Sequence, residues 1–235
     1  MATGKFFVFE GIDGAGKSTQ SNLLADFFKR KGIEVQKIHF PQYGQRSAAL
    51  IEDYLKGKYG SSQDVGPYVA SIFYAADRYD LSFKIKQWLN EGKIVVSDRY
   101  VISNIGHQGG KLIESRSDWE KYTNWLHDLE YNLFKIPKPD YTFILKITPE
   151  LSMQMSNKIT DVVKQQKRIA YLGDDKKQDI HEADKKHLAN ALDSYLAISE
   201  KFSEEYKIID CMENGNFLPV NVISEKIIKL VEEKI

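Results

Sequence analysis

Short apolar segments alternate with longer amphipathic segments along the chain. The apolar segments are rich in Val, Ile and Phe and are nearly continuous, which is typical of parallel strands covered by helices on both faces, since a half-exposed strand would alternate polar and apolar residues. Their rhythm predicts βαβ units and an α/β fold with five parallel strands. The predicted strands are Phe6–Phe9, Val35–Phe40, Ile94–Ser97, Tyr141–Ile147 and Tyr206–Asp210.

Three amphipathic segments between these strands predict long helices. The first runs from Lys17–Lys31, with Gly32 as its C-terminal stop. The second covers Tyr68–Glu91, and the third covers Trp119–Leu133 and ends before a Pro-Lys-Pro break. We therefore expect a sheet flanked by helices.

A charged segment at about residues 158–186 stands apart from this rhythm. It mixes lysines and acids around Gly173 and contains Arg168. We interpret it as a lid over a ligand site, while a solvated helix-loop-helix face is the alternative, because charge runs are usually exposed surface. A chain of 235 residues suits one domain, so we expect residues 1–235 to form a single domain that includes this lid.

The composition limits the partners and the compartment. With 33 basic and 33 acidic residues the formal net charge is zero, so no global field attracts nucleic acid or an anionic membrane. The single cysteine, Cys211, excludes an internal disulfide framework. No secretory apolar region precedes the first strand, and no segment approaches the roughly 20 apolar residues of a membrane span. We expect a cytoplasmic protein that binds neither nucleic acid nor membrane.

The junction between the first strand and the first helix carries the strongest chemical signal. Residues 11–18 read Gly-Ile-Asp-Gly-Ala-Gly-Lys-Ser and match the P-loop pattern G-x-x-x-x-G-K-[ST]. Glycines let backbone N–H groups wrap phosphate oxygens at the positive end of a helix, whereas a tight turn without a ligand would not explain Lys17 and Ser18. Lys17 should reach the β- and γ-phosphates of ATP, and Ser18 should ligate Mg²⁺. The predicted ATP phosphate-binding residues are Gly11, Asp13, Gly14, Ala15, Gly16, Lys17, Ser18 and Thr19.

A second acidic position follows the third predicted strand. Asp98 stands at the carboxyl end of that strand, where ligands bind in open α/β sheets, and we expect it to hold Mg²⁺ as a Walker B acid does. Arg99 follows directly and can present its guanidinium to phosphate. A structural Asp98–Arg99 pair is the alternative, which is disfavoured because neighbours on a strand point apart.

A GTPase is the rival among P-loop proteins. Its guanine-reading N-K-x-D segment is missing at a suitable place, since Asn157-Lys158 is followed by Asp161, one position too far along. We therefore expect no guanine specificity of that kind.

Several segments in this order resemble the thymidylate kinase family, and together they span most of the chain. They are Phe9–Gln20, Phe40-Pro41, Asp77-Arg78, Asp98-Arg99-Tyr100 with Ser103-Asn104, and Pro137–Asp140. The combination is more specific than the P-loop, which other nucleotide kinases share. The resemblance implies a P-loop NTP hydrolase fold with a lid, a homodimer, and transfer of the γ-phosphoryl group of ATP to dTMP with Mg²⁺, giving dTDP and ADP.

The resemblance also implies roles for individual residues on the side of the acceptor nucleotide. It places Asp13 at the sugar 3′-hydroxyl, and Phe40 and Tyr74 against the thymine base. Arg78 would hydrogen-bond the base edge or the acceptor phosphate, and Arg99 would grip that phosphate. The remaining matches are Asn104 at the base edge, and Asp179 and Glu182 near the sugar.

These transfers have structural alternatives. Tyr74 could be a core residue, as an aromatic side chain at helical spacing usually is and as we expect Phe73 to be. Asp179 and Glu182 could cap a helix, because acids favour the first turn.

The chain departs from the family pattern at two places. Many relatives carry an arginine after the Phe-Pro pair, but here Gln42 follows and the nearest arginine is Arg46. Arg168 is the only arginine between residues 161 and 186, and lysine does not bind phosphate bidentately as arginine does.

Phosphoryl transfer needs alignment and charge neutralisation more than covalent help. The predicted catalytic residues are Lys17, Asp98, Arg99 and Arg168. The alternatives are another nucleoside monophosphate kinase, a deoxynucleoside kinase with a base near the acceptor hydroxyl, and a noncatalytic nucleotide-binding module.

Overall fold

Five parallel strands form the sheet at the centre of the protein, in a computed structural model that describes residues 4–157 and 185–234. Their order is β2-β3-β1-β4-β5, and every neighbouring pair is parallel. The sheet confirms the predicted fold class. Its strands are β1 (Phe6–Glu10), β2 (Val35–His39), β3 (Ile94–Asp98), β4 (Tyr141–Lys146) and β5 (Tyr206–Asp210).

The burial of the strands explains the apolar pattern of the sequence. β1 lies in the middle of the sheet and is buried along its whole length, whereas the edge strands β2 and β5 are partly exposed. A central strand with helices on both faces has no solvent face, so it carries apolar residues at successive positions.

Helices flank the sheet. Within the described ranges they are α1 (Lys17–Arg30), α2 (Ala49–Leu55), α3 (Ser62–Asn90), α4 (Ile102–His107), α5 (Arg116–His127), α6 (Pro149–Asn157), α7 (Lys185–Lys201) and α8 (Val220–Glu232). α1 packs on β1, β2 and β3, and α4 packs along α7. A short hairpin of β6 (Met212–Glu213) and β7 (Asn216–Phe217) precedes α8. None of these helices has the length and hydropathy that a bilayer crossing requires.

The second predicted helix is preceded by an extra turn, and the third differs from the observed helix at its ends. In α3 a short turn that starts at Ser62 is capped by Ser61 and Asp64, and the chain leaves the helical path at Gly66 (φ 71°), so the continuous part of α3 begins close to the predicted Tyr68. The third predicted helix begins at Arg116, and a π-helical turn at Asp128–Leu133 replaces its last part.

The predicted lid falls almost wholly outside the described residues. Of residues 158–186 only the last two are described, as the start of α7. Arg168, Asp179 and Glu182 therefore lie outside the described part of the chain.

Candidate active site

The P-loop leaves β1 in a conformation that its glycines allow. Gly11, Gly14 and Gly16 have φ values of 128°, 76° and 88°, which L side chains rarely adopt. A Cβ on Gly11 would lie 2.6 Å from the carbonyl oxygen of Leu145 on β4. The loop therefore passes against the sheet closely enough that no larger residue fits, and it leads directly into the N-terminus of α1.

Lys17 folds back over this loop. Its Nζ donates hydrogen bonds to the carbonyl oxygens of Gly11 at 3.0 Å and Ile12 at 2.9 Å. The same Nζ lies 3.7 Å from a carboxylate oxygen of Asp13. Burial, together with the charge of Arg99, lowers the pKa of Lys17 to about 8. The ammonium group is thus held by neutral acceptors that phosphate oxygens can replace.

Arg99 is fixed at the end of β3 and reaches the P-loop. Its backbone adopts φ 71° and its N–H donates to the carbonyl of Phe9 at 2.9 Å. Nη2 of the guanidinium bonds to Asp13 Oδ1, and Nη1 lies 3.1 Å from Nε2 of His107. Burial opposes the charge, but the Asp13 carboxylate raises the pKa of Arg99 above its usual range. Arg99 therefore pairs with Asp13 across the loop.

A cavity of about 270 Å³ opens beside this ion pair. It brings together the predicted acceptor-side residues that lie in the described ranges, namely Asp13, Phe40, Tyr74, Arg78, Arg99 and Asn104. Asp98, predicted as a Mg²⁺ ligand, lines the same cavity.

Arg78 forms part of the cavity wall while being almost fully buried. Its Nε donates to Glu130 Oε1 at 2.9 Å and its Nη1 donates to the carbonyl of Tyr100 at 3.3 Å. Glu130 lies on the π-helical turn and is buried completely. Sequence reasoning missed Glu130, because a glutamate inside an amphipathic segment carries no sign of its distant partner.

Tyr74 lies between the apolar core and the cavity. It is half-buried and packs against a small apolar cluster around Tyr54 and Leu55, yet it also lines the cavity. Phe73 contacts the rings of Tyr54 and Tyr59 at centroid distances of 6.3 and 5.8 Å, as expected of a core residue.

Phe40 and Asn104 are held firmly on the cavity wall. The Phe40 ring is buried and lies 5.6 Å from the ring of Tyr100. Asn104 is also buried, and its Nδ2 donates to the carbonyl of Ser71 at 3.3 Å.

Gln42 and Arg46 occupy different environments. The Gln42 backbone N–H donates to Asp77 Oδ2 at 2.9 Å, and its Nε2 donates to Asp77 Oδ1 at 3.0 Å. Arg46 is exposed in a short 3₁₀ turn and is not among the residues that line the cavity. After the Phe-Pro pair the chain therefore presents an amide that is bound to Asp77.

Glu10 joins three parts of the site and was also missed from the sequence. Its buried carboxylate accepts hydrogen bonds from the Tyr100 N–H at 2.7 Å, the Ser103 hydroxyl at 2.6 Å and the Tyr195 hydroxyl at 3.0 Å. Burial raises the pKa of Glu10, although these bonds and Arg99 oppose the shift. The carboxylate links β1, the segment after β3 and α7.

Comparison with known proteins places these features in a family. A family model described as thymidylate kinase matches residues 9–216. A probable thymidylate kinase of Thermococcus kodakarensis is 34% identical over 235 residues, which cover 97% of each chain. A thymidylate kinase of Plasmodium falciparum is 32% identical over 169 residues, which cover 71% of this chain and 74% of the relative.

A solved structure shows the same fold. The thymidylate kinase of Candida albicans superposes with a TM-score of 0.72 and 21% identity, and the match covers 100% of this chain and 93% of that chain.

Proposed function

The chain belongs to the thymidylate kinase family, and from this premise we propose which side chains serve each part of its reaction. The reaction is the transfer of the γ-phosphoryl group of ATP to dTMP, giving ADP and dTDP. One observation carries the assignment: Asp13 of the P-loop is ion-paired with Arg99 of the cavity. The donor cradle and the acceptor cavity therefore share a wall, as a direct transfer between two nucleotides requires.

The P-loop binds the phosphates of ATP in this proposal. The N–H groups of residues 11–19 and the N-terminus of α1 provide the anion site. Lys17 exchanges the carbonyls of Gly11 and Ile12 for phosphate oxygens. This exchange favours charge at the Lys17 amine and stabilises the charge that develops on the transferred group.

Ser18 and Asp98 offer a hydroxyl and a carboxylate oxygen, which suit Mg²⁺. Among the described residues no group of three or more His, Cys, Asp or Glu side chains stands together as a ready-made metal site. Mg²⁺ usually takes one or two protein ligands and completes its shell with water and substrate phosphates, so two oxygen ligands from the protein would suffice. When bound, the ion would neutralise phosphate charge.

Two guanidinium groups favour an acceptor that already carries a phosphate. Arg78 and Arg99 both line the cavity, and the planar guanidinium of Arg99 suits phosphate. Arg78 can contribute only the N–H groups that Glu130 and the Tyr100 carbonyl leave unused. Phe40 and Tyr74 supply the apolar surface for the base, and Asn104 supplies an amide for its edge. A phosphorylated acceptor is already anionic and needs no general base, unlike the hydroxyl that a deoxynucleoside kinase must activate.

An ADP-release assay with ATP and Mg²⁺ against dTMP, dUMP, AMP, CMP, GMP and thymidine tests this function. We expect turnover with dTMP, and we expect Arg99→Ala to lower kcat/KM for dTMP by about 100-fold, the loss typical of a hydrogen-bonded charge at a reacting group. The matched control is Arg116→Ala, because Arg116 pairs with Glu120 on the exposed surface. Turnover with thymidine alone, or full activity of the Arg99 variant, would overturn the assignment.

A homodimer is the assembly that we propose. Val69, Ile72, Tyr79 and Phe83 follow one face of α3 at helical spacing, and their exposed fractions are 47%, 46%, 41% and 58%. We call this surface the α3 stripe. A contiguous exposed apolar surface of this kind is typical of a protein interface.

Two further expectations stay predictions. The role of Arg168 as a lid cation is one, because Arg168 lies outside the described residues. Cytoplasmic location rests on the single cysteine, Cys211.

A further inference from the structure

His107 connects Arg99 to a second histidine. Its Nε2 lies 3.1 Å from Arg99 Nη1, and its Nδ1 lies 3.3 Å from Nε2 of His187 on α7. The two imidazole rings stack with their centroids 5.6 Å apart and their planes at 23°. His107 also lines the cavity that holds Arg99. Its partners lie 8 and 80 residues away in the chain, which explains why sequence reasoning missed it.

The chemistry of the donors fixes which atoms carry protons in this chain of contacts. A guanidinium group only donates hydrogen bonds, so His107 Nε2 must be the acceptor. The proton of a neutral His107 is then on Nδ1, which donates to Nε2 of His187. Protonating His107 would place an N–H opposite the N–H of Arg99. Protonating His187 on Nε2 would make that atom a donor, so Nδ1 of His107 would have to accept. The proton of His107 would then lie on its own Nε2 and break the contact with Arg99.

We propose that neutral His107 is a positioning residue that holds Arg99 for the acceptor phosphate, and that protonation of the His107–His187 pair releases Arg99 and weakens dTMP binding. This inference rests on the proposed function of Arg99. It adds a dependence on pH that comes from the protein and is separate from the ionisation of dTMP.

The charged groups around the two histidines favour loss of the Arg99 contact when His107 is protonated. On the side of the P-loop, the carboxylate of Asp13 is already paired with Arg99 and Lys17. From β1, the carboxylate of Glu10 accepts from Ser103 and Tyr195.

Helix α7 faces His107 with His187 and with the edge of the Tyr195 ring, whose centroid lies 6.1 Å away. The two lysines that begin this helix pair elsewhere, Lys185 with Glu150 and Lys186 with Glu114. Among these described groups, a proton on His107 would face the Arg99 cation most directly.

The decisive variant is His107→Gln. The side-chain oxygen of glutamine is as many bonds from Cα as Nε2 of histidine, so it can accept from Arg99, but glutamine does not titrate. His39→Gln is the matched control, because His39 lines the same cavity while the Arg99 guanidinium bonds to Ser103, His107 and Asp13. A third variant, His107→Leu, removes the acceptor at every pH.

The experiment is calorimetric titration of dTMP into the full chain at pH 8 and pH 5.8, with each variant compared with its own affinity at pH 8. The ionisation of dTMP affects all proteins alike and cancels. On lowering the pH from 8 to 5.8, the wild-type dissociation constant should rise severalfold more than that of His107→Gln, because only histidine loses the acceptor for Arg99. His39→Gln should keep the wild-type ratio, and His107→Leu should bind weakly with no extra dependence on pH.

Equal ratios in the wild type and His107→Gln would overturn the proposal, and so would a smaller ratio in the wild type, which would mean that protonated His107 binds the phosphate itself. A wild-type protein that turns over dTMP at pH 8 but shows equal ratios would leave the proposed function standing. Absence of dTMP binding at both values of pH would overturn both.

Discussion

Lys17 and Arg99 are two cations that lie at different distances from the same carboxylate. Lys17 donates to two neutral carbonyls and lies 3.7 Å from Asp13, whereas Arg99 bonds to Asp13 directly. Burial lowers the pKa of Lys17 to about 8, while the Asp13 carboxylate keeps Arg99 charged. Of these two side chains, only Lys17 therefore changes its charge near neutral pH.

We expect ATP binding at pH 8 to take up about half a proton. Free Lys17 is then about half deprotonated, and the triphosphate favours its charged form, which raises the pKa on binding. The measurement is calorimetry in buffers of different ionisation enthalpy at pH 8, where the slope of the observed enthalpy gives the proton uptake. Lys17→Arg is the control, because arginine stays charged. Equal slopes for the two proteins would contradict the prediction.

Glu10 and Tyr195 give a second prediction at this scale. Tyr195→Phe removes one hydrogen bond to a buried carboxylate, and we expect it to lower the free energy of unfolding by about 1.5–3 kcal/mol. Glu10→Gln should cost more, because it removes the negative charge from every hydrogen bond that the carboxylate accepts and puts an amide donor in place of one accepting oxygen. Urea denaturation measures both. If Glu10→Gln leaves the free energy of unfolding unchanged, this hydrogen-bond network is not what holds the three segments together.

The sequence allowed prediction of the residues whose chemistry is local. The glycines, Lys17 and Ser18 of the P-loop stand at a fixed spacing, and that spacing is the signal. Glu10, His107 and Glu130 take their roles from partners that the fold brings to them across many positions, and no pattern of the chain reports those contacts.

At the scale of elements, the π-helical turn after α5 carries Glu130, the buried partner of Arg78. Arg78 and Glu130 form an ion pair away from solvent. Such a pair is costly to break from one side, because the remaining charge stays buried, whereas replacing both partners by apolar residues is often tolerated.

We therefore expect Glu130→Ala to destabilise the fold by about 3–5 kcal/mol. The double substitution Arg78→Met with Glu130→Leu should recover most of that stability without recovering turnover, because Arg78 also lines the cavity. Thermal unfolding and the dTMP assay measure the two effects separately. A double variant as unstable as the single one, or one with restored activity, would count against this reading.

The sequence predicted which segments are helices and strands more accurately than it predicted where they end. The centres of the strands and of α1 were predicted because continuous apolar runs and a helical stripe report burial directly. The extra turn at Ser62 was missed because Gly66 and Pro67 separate it from the continuous part of α3, which begins close to the predicted Tyr68. The π-helical turn was missed because its sequence keeps the amphipathic pattern of a regular helix.

At the scale of the whole molecule, the five-stranded sheet was predictable because its central strands have no solvent face. The assembly was not predictable from burial patterns in the same way, because an exposed apolar residue and a core residue look alike in the sequence. Only the three-dimensional placement of Val69, Ile72, Tyr79 and Phe83 separates the α3 stripe from the core.

Phe83→Glu tests the proposed dimer. Phe83 is the most exposed residue of the stripe, and a carboxylate there would be buried unpaired in a symmetric interface. We expect the wild type to sediment as a dimer and the variant as a monomer in analytical ultracentrifugation. Lys84→Glu is the control, since Lys84 is exposed on the same helix but outside the stripe. A monomeric wild type, or a dimeric Phe83 variant, would refute the assembly.

The placement of α3 has a consequence for how the protein responds to dilution. One side of this helix supplies Tyr74 and Arg78 to the cavity, and another side carries the stripe. A shift of this helix on binding dTMP would reach the second copy, and the two equilibria would then obey reciprocity. Saturating dTMP would strengthen dimerisation by the same factor by which dimerisation strengthens dTMP binding. Affinity for dTMP measured across a range of enzyme concentrations would thus report the strength of this coupling.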